Sequence, residues 1–156
     1  MNDVAEPVSP PATMPRQRSK PLLPVRGVVS ILDRNEDQVL ALIEDGSLAW
    51  AWDVALNPRS SHSRELRVLP AAVAAYLRGD AGSFDWPDVF SLLVPNTPTV
   101  LAREVSRVLN VSSTHVYALI RGRRLASCSA PKTGPLGSAR IPTDSFAEFL
   151  KNRRFP

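Results

Sequence analysis

The sequence predicts a mainly α-helical fold with small β-hairpins, laid out as two successive modules of helix, turn, helix, hairpin and helix. Three observations predict it. First, two stretches of the chain superpose at an offset of 77, Pro24 to Ala49 over Leu101 to Ala126, so that Val28, Ile31 and Leu32 fall on Val105, Val108 and Leu109. Val39, Leu42 and Ile43 then fall on Val116, Leu119 and Ile120, which repeats two helices with the same gap between them. Second, each copy carries apolar residues at i, i+3 and i+4 in two short runs parted by a polar turn, the geometry of a helix-turn-helix. Third, each pair is followed by extended pieces broken by turn residues and then by another helix, which places a hairpin as a wing. The expected class is therefore tandem winged helix-turn-helix modules.

The first 21 residues are expected to be a disordered basic arm. Pro7, Pro10, Pro11 and Pro15 precede Arg16, Arg18 and Lys20, and no apolar signal-like stretch stands among them. The first module is expected over 22–79. Its turn is Asp33, Arg34 and Asn35, with Asn35 as helix cap and Gln38 three residues on, as in a capping box. Trp50, Trp52, Val54 and Leu56 then alternate into a polar turn, Leu66 and Val68 alternate back, and a helix is expected from Pro70 to Leu77. Residues 80–98 read as a linker, although Trp86, Val89, Phe90, Leu92 and Leu93 predict a short apolar helix from about Trp86 to Leu93. The second module is expected over 99–156, with its turn at Asn110, Val111 and Ser112. Pro131, Gly134, Pro135 and Gly137 break its wing, with Cys128 in an alternating strand, and a last helix runs from Thr143 to Leu150 with Thr143 or Asp144 as cap.

Charge points to a polyanion. The net charge is only +4, but no Asp or Glu occurs from Val105 to Thr143, while Arg107, Arg121, Arg123, Arg124, Lys132 and Arg140 all lie in that window. One cysteine and two distant histidines supply neither a disulfide nor a metal set, and no phosphate loop or nucleophile motif stands in the chain. The expectation is a protein that is not an enzyme, without cofactor or metal, without a membrane span, cytoplasmic and associated with the nucleoid. RNA is the weaker nucleic-acid partner, because an aromatic stacking sheet with basic flanks is missing.

The segment VLAREVSRVLNVSSTHVYALIRGRRLASC, followed by ARIPTDSFAEFL, resembles the excisionase and MerR-like winged helix-turn-helix family. The resemblance rests on Val105, Leu109, Val111, Ser112 to Thr114, Val116, Tyr117, Leu119, Ile120, the basic turn to Leu125, and Arg140-Ile141-Pro142 before Phe149 and Leu150. Asn110 stands where the family has glycine, which asparagine replaces by reaching left-handed backbone. Leu101 stands where a hydroxyl cap is usual, and Thr99 is close enough to take over. The resemblance implies binding of double-stranded DNA, by a regulator of transcription or a factor that directs recombination.

In a helix-turn-helix the second helix enters the major groove by its N-terminal half. The expected DNA contacts are Ser112, Ser113, Thr114, His115, Tyr117, Arg121, Arg123 and Arg124, with Lys132 and Arg140 from the wing. The competing reading of Tyr117 is a half-buried ring. Secondary contacts are Arg59, His62 and Arg64 in the first wing and Lys151, Arg153 and Arg154 in a basic tail. The first copy presents Asp33, Glu36, Asp37, Glu44 and Asp45 where the second is basic, so its second helix is expected to repel phosphates. Trp50, Trp52, Trp86 and Phe90 are interface candidates, with core packing as the competing reading of the first two. Double-stranded DNA is the expected partner, bound by a homodimer or a cooperative oligomer. The alternative is an adaptor, antitoxin-like or partition-like, whose acidic first module grips a protein while the second anchors to DNA.

Overall fold

The computed structural model describes residues 20–57, 64–80, 84–128 and 138–155. The arm up to residue 19 and both wing tips lie outside them, and with these go Arg59, His62 and Lys132. The elements run β1 (Leu23–Pro24), α1 (Val25–Leu32), α2 (Glu36–Glu44), β2 (Ala51–Asp53), β3 (Leu66–Val68), α3 (Pro70–Leu77), α4 (Trp86–Leu93), β4 (Thr99–Leu101), α5 (Ala102–Leu109), α6 (Ser113–Arg121), β5 (Arg140–Pro142), α7 (Thr143–Arg153) and β6 (Arg154–Phe155). The described fold is thus mainly helical with small antiparallel strands, in a four-stranded sheet of order β1-β3-β2-β6 and a two-stranded sheet of β4 and β5.

The two helix pairs share their local devices. Asp33 ends α1 at φ 52° and ψ 49°, and Asn110 ends α5 at φ 53° and ψ 51°. Both are residues whose short polar side chains tolerate left-handed backbone. Asn35 caps α2 in a complete capping box with Gln38, and Ser112 caps α6 by accepting from the His115 N–H. Three exit bonds match, since Asp45, Gly46 and Leu48 donate to Ala41, Ile43 and Leu42 as Gly122, Arg123 and Leu125 donate to Ala118, Ile120 and Leu119, while the intervening Ser47 N–H goes to the Asp45 carboxylate and that of Arg124 to the Leu119 carbonyl.

The core divides unevenly. Val28, Val39, Ile43, Leu48, Ala51, Leu66, Val68 and Val73 form a small cluster inside the first helix pair. The larger cluster joins Val105, Val108, Leu109, Val116, Leu119, Phe146, Phe149 and Leu150 of the second pair to Leu22, Trp50, Trp52, Val54, Val89 and Leu93. The expected alternation of a half-exposed hairpin therefore gives way to a strand buried on both faces, because Ala51 packs into the small cluster while Trp50, Trp52 and Val54 pack into the large one. Trp50 stacks on Trp86 at 5.6 Å, and Trp86 contacts Phe90 at 6.0 Å, so α4 covers the seam from outside.

Four local expectations are corrected. Arg140–Pro142 pairs with Thr99–Leu101, a strand at the start of the second module where the sequence predicts only a helix cap, and Cys128 keeps one described link to β5, from its N–H to the Arg140 carbonyl at 2.9 Å. Cys128 is exposed and in no strand. Neither Thr99 nor Thr143 caps a helix by its side chain: α5 and α7 start without side-chain caps, and Thr97 and Thr143 hydroxyls tie the 97–99 backbone instead. The terminal residues expected as a free tail form β6, which adds Arg154–Phe155 to the edge of β2.

Candidate nucleic-acid interface

The turn between α5 and α6 fixes the second helix. Ser106 donates its hydroxyl to the Val111 carbonyl at 2.7 Å and accepts the fold of the chain through its own carbonyl, bonded by the Val111 N–H at 3.1 Å. Val116 and Leu119 then point into the core, which leaves Thr114, Ala118 and Arg121, spaced i, i+4 and i+7, on the outward face of α6. Thr114 and Arg121 are exposed, and Ser113 and Ala118 are partly so. Gly122, Arg123 and Arg124 continue from the helix as an exposed turn, and Arg140 is exposed on β5. Five expected contacts, Thr114, Arg121, Arg123, Arg124 and Arg140, are therefore open to a ligand.

The rest are placed differently. The His115 ring turns inward, with Nε2 bonded to the Val54 carbonyl at 2.7 Å and Nδ1 3.9 Å from Glu65. A carbonyl only accepts, so Nε2 carries the proton. His115 thus spends its polar edge on β2 and β3 instead of presenting it to a groove. Tyr117 is half-buried against the core, and its hydroxyl accepts from the Ala139 N–H at 3.2 Å, a bond that ties α6 to the approach of β5. Ser112 is occupied by capping. Arg107 is offset by Glu104 at 3.1 Å, which lies just outside the acid-free window.

The basic tail is held by the fold. Arg153, only 9% exposed, donates from Nη1 to the Ala55 carbonyl at 2.9 Å and lies over the Phe149 ring. Its pKa is pressed down, first by burial and then by the Arg124 charge. Arg154 lies 3.7 Å from the centroid of Trp50, and Lys151 lies over Trp86 at 6.0 Å. Arg64 pairs weakly with Glu44 at 3.9 Å and lies over Phe155. The interface candidates Trp50 and Trp52 are 4% and 0% exposed, so their surface is spent inside the chain, between the helix pairs. Trp86 and Phe90 keep partial exposure.

The helix pairs are joined by bonds the sequence did not announce. The Leu22 N–H donates to the Val108 carbonyl at 2.9 Å, the Asn110 amide donates to the Leu22 carbonyl at 3.1 Å, and Arg67 donates twice to the Asn110 carbonyl, at 3.3 and 3.1 Å. Burial lowers the Arg67 pKa, which Glu65 partly offsets. The sequence marks Asn110 as a left-handed turn residue, which the backbone bears out at φ 53°, but no local signal names its partners. Among the described residues no group of His, Cys, Asp or Glu is arranged to hold a metal ion, and no helix is long and apolar enough to cross a membrane. Neither the curated proteins nor the solved structures gave a match to the chain. Residues 102–154, about a third of the chain, match the family of helix-turn-helix domains, and with the geometry of α5 and α6 this segment is a helix-turn-helix DNA-binding domain.

Proposed function

We propose that the chain is a double-stranded DNA-binding regulator or architectural factor, excisionase-like in its second helix pair, that reads DNA with α6. The observation that carries the reading is the exposed face of α6, where Thr114 and Arg121 lead into Arg123 and Arg124, with a further exposed arginine, Arg140, on β5, all within a stretch free of carboxylates. Guanidinium groups neutralise phosphates and fix register, and a hydroxyl at the helix N-terminus meets a base edge or a phosphate. The first helix pair is a diverged tandem copy in this reading, supported by the offset of 77 and by the matched turn and exit bonds. It braces α6 through His115 and Asn110. One domain of this size covers little DNA, so specific binding calls for a homodimer or cooperative neighbours on one duplex, in a cytoplasmic, nucleoid-associated protein.

Selection from a random duplex library by the full chain tests the reading. The wild type enriches a short motif. Thr114→Ala with Arg121→Ala loses about tenfold or more in affinity for it, from contacts worth roughly 1–3 kcal/mol each. No enriched motif and equal binding by the variant would show that α6 is not the reading element. A second reading is an adaptor in which α2 meets an acid-seeking protein partner, favoured by the exposed Glu36, Asp37, Glu44 and Asp45. Charge reversal at Glu36 and Asp37 then leaves duplex binding intact and abolishes the association.

A further inference from the structure

Between the turn that follows α6 and the outward face of α7 lies a groove of about 370 Å³, with Arg123 and Arg124 on one wall and Ser145, Glu148, Asn152 and Arg153 on the other. The spacing of Ser145, Glu148 and Asn152 puts them on one face of α7, aimed at the turn. Three guanidinium groups meet one carboxylate here. Glu148 makes no ion pair with any of them among the described residues, and only Arg153 has part of its charge offset, by the Asp53 carboxylate, so Arg123 and Arg124 are left without a protein counter-ion at the groove.

Two further features ask for an anion. Arg153 is nine-tenths buried, its Nη1 is spent on the Ala55 and Asp53 carbonyls, and its Nη2 is buried with no hydrogen-bond partner among the described residues. A buried guanidinium N–H without an acceptor is costly, and Arg124 on the opposite wall adds like-charge repulsion. Arg123, meanwhile, holds its backbone at φ 58°, the position that Gly46 holds at φ 81° 77 residues earlier. A branchless residue fills the left-handed site in the first helix pair, whereas in the second an arginine is kept there against backbone strain, with its side chain at the groove. Ser145 accepts from the Ala126 N–H at 2.9 Å, which leaves its hydroxyl proton to donate.

We propose that this groove is an oxyanion site that takes a phosphate group, clasped by Arg123 and Arg124 with Ser145 and Asn152 as neutral donors and with the buried Arg153 charge behind them. The phosphate comes either from a free phosphate or from the backbone of bound DNA, and only the second source rests on the function proposed above. Glu148 works against the anion, which gives the site a variant that strengthens it.

Calorimetric titration of the full chain with inorganic phosphate, against chloride at equal ionic strength, tests the first source. Arg153 is left in place because it also ties α7 to the 53–55 backbone. Saturable binding is expected, weakened about tenfold in Arg124→Gln, as fits one charge-assisted hydrogen bond, and strengthened in Glu148→Gln. The Arg153 side-chain 15N resonances shift on saturation. The salt dependence of duplex binding tests the second source: Arg124→Gln lowers the slope by about 1 and Glu148→Gln raises duplex affinity if a backbone phosphate sits in the groove. Phosphate binding with an unchanged slope assigns the site to free phosphate, and the changed slope and affinity without phosphate binding assign it to DNA. The proposal is overturned if neither assay responds to the two variants, whereas a duplex affinity that still depends on Arg121 would leave the reading role of α6 standing.

Discussion

Asn110 carries two separable duties, and substituting it measures both. Its backbone is left-handed at φ 53°, and its side chain donates to the Leu22 carbonyl at 3.1 Å across the boundary between the helix pairs. Asn110→Ala places a Cβ without a compensating polar group in the left-handed region, at about 1 kcal/mol, and removes a hydrogen bond contributing about 1 kcal/mol. The sum is about 2 kcal/mol. Asn110→Gly relieves the backbone but loses the same bond, and is expected to cost about 1 kcal/mol. Asp33 supplies the control, because its backbone is at φ 52° and its side chain has no hydrogen bond among the described residues. Asp33→Ala therefore costs only the backbone part, reduced by a few tenths of a kcal/mol because its carboxylate faces a helix C-terminus. Equilibrium urea unfolding, with unchanged slopes, gives the three values. Two results would refute the reasoning: an Asn110→Ala cost no larger than that of Asp33→Ala removes the bridge, and an Asn110→Gly cost equal to that of alanine removes the backbone contribution.

Two further predictions use the exits of α2 and α6. A Cβ built on Gly46 meets nothing within 4 Å, so Gly46→Ala costs about 1 kcal/mol by backbone strain alone, while Arg123→Gly relieves strain and is neutral or stabilising by up to about 1 kcal/mol; urea midpoints check both signs. Asp45 is fully exposed, and its pKa is held below the ordinary 3.8 first by the Ser47 side chain and then by the Ser47 N–H at 2.8 Å. Its contribution to stability is therefore present above about pH 3.8 and lost as the pH falls through the lower folded value, and Asp45→Asn should flatten that part of an acid titration followed by circular dichroism.

Much of the helical layout was legible because its signals are local. The limits of α3 and α4 follow from Pro70 and Pro87 in their first turns and from the apolar spacing of each run. The box at Asn35 and Gln38 and the cap at Ser112 follow from side chains that reach three residues along the chain. What was not legible depends on partners far away in sequence. The three- and two-residue strands β4 and β6 carry no period of their own, and they exist because Ile141 and Ala51 bring a matching edge to them. His115 reads as an outward contact until Val54, 61 positions earlier, accepts its Nε2–H. Arg153 reads as a free tail cation until the Ala55 carbonyl, 98 positions away, is found against it. The candidate site divides the same way: Thr114 and Arg121 follow from helix period alone, whereas the groove behind Arg123 and Arg124 needs α7 to be docked first.

The location of the tryptophans decides how α6 is held. Residues 102–154 contain the helix-turn-helix, but the cluster under α5, α6 and α7 is completed by Leu22, Trp50, Trp52 and Val54 from outside that range. A buried tryptophan removes roughly 150–250 Å² from water, an upper bound of about 4–6 kcal/mol at about 25 cal/mol per Å². That is comparable with the whole net stability of a small domain, about 5–15 kcal/mol. The face of β2 that carries these rings is therefore part of the core of the DNA-binding segment, although it belongs in sequence to the first helix pair. β6 closes the arrangement from the other end by returning Arg154–Phe155 to β2, directly after the helix that carries Phe146 and Phe149. The outward direction of Thr114 and Arg121 is fixed by a core that both halves of the chain supply, and the His115 and Asn110 bonds fasten the turn and the start of α6 to the same strands.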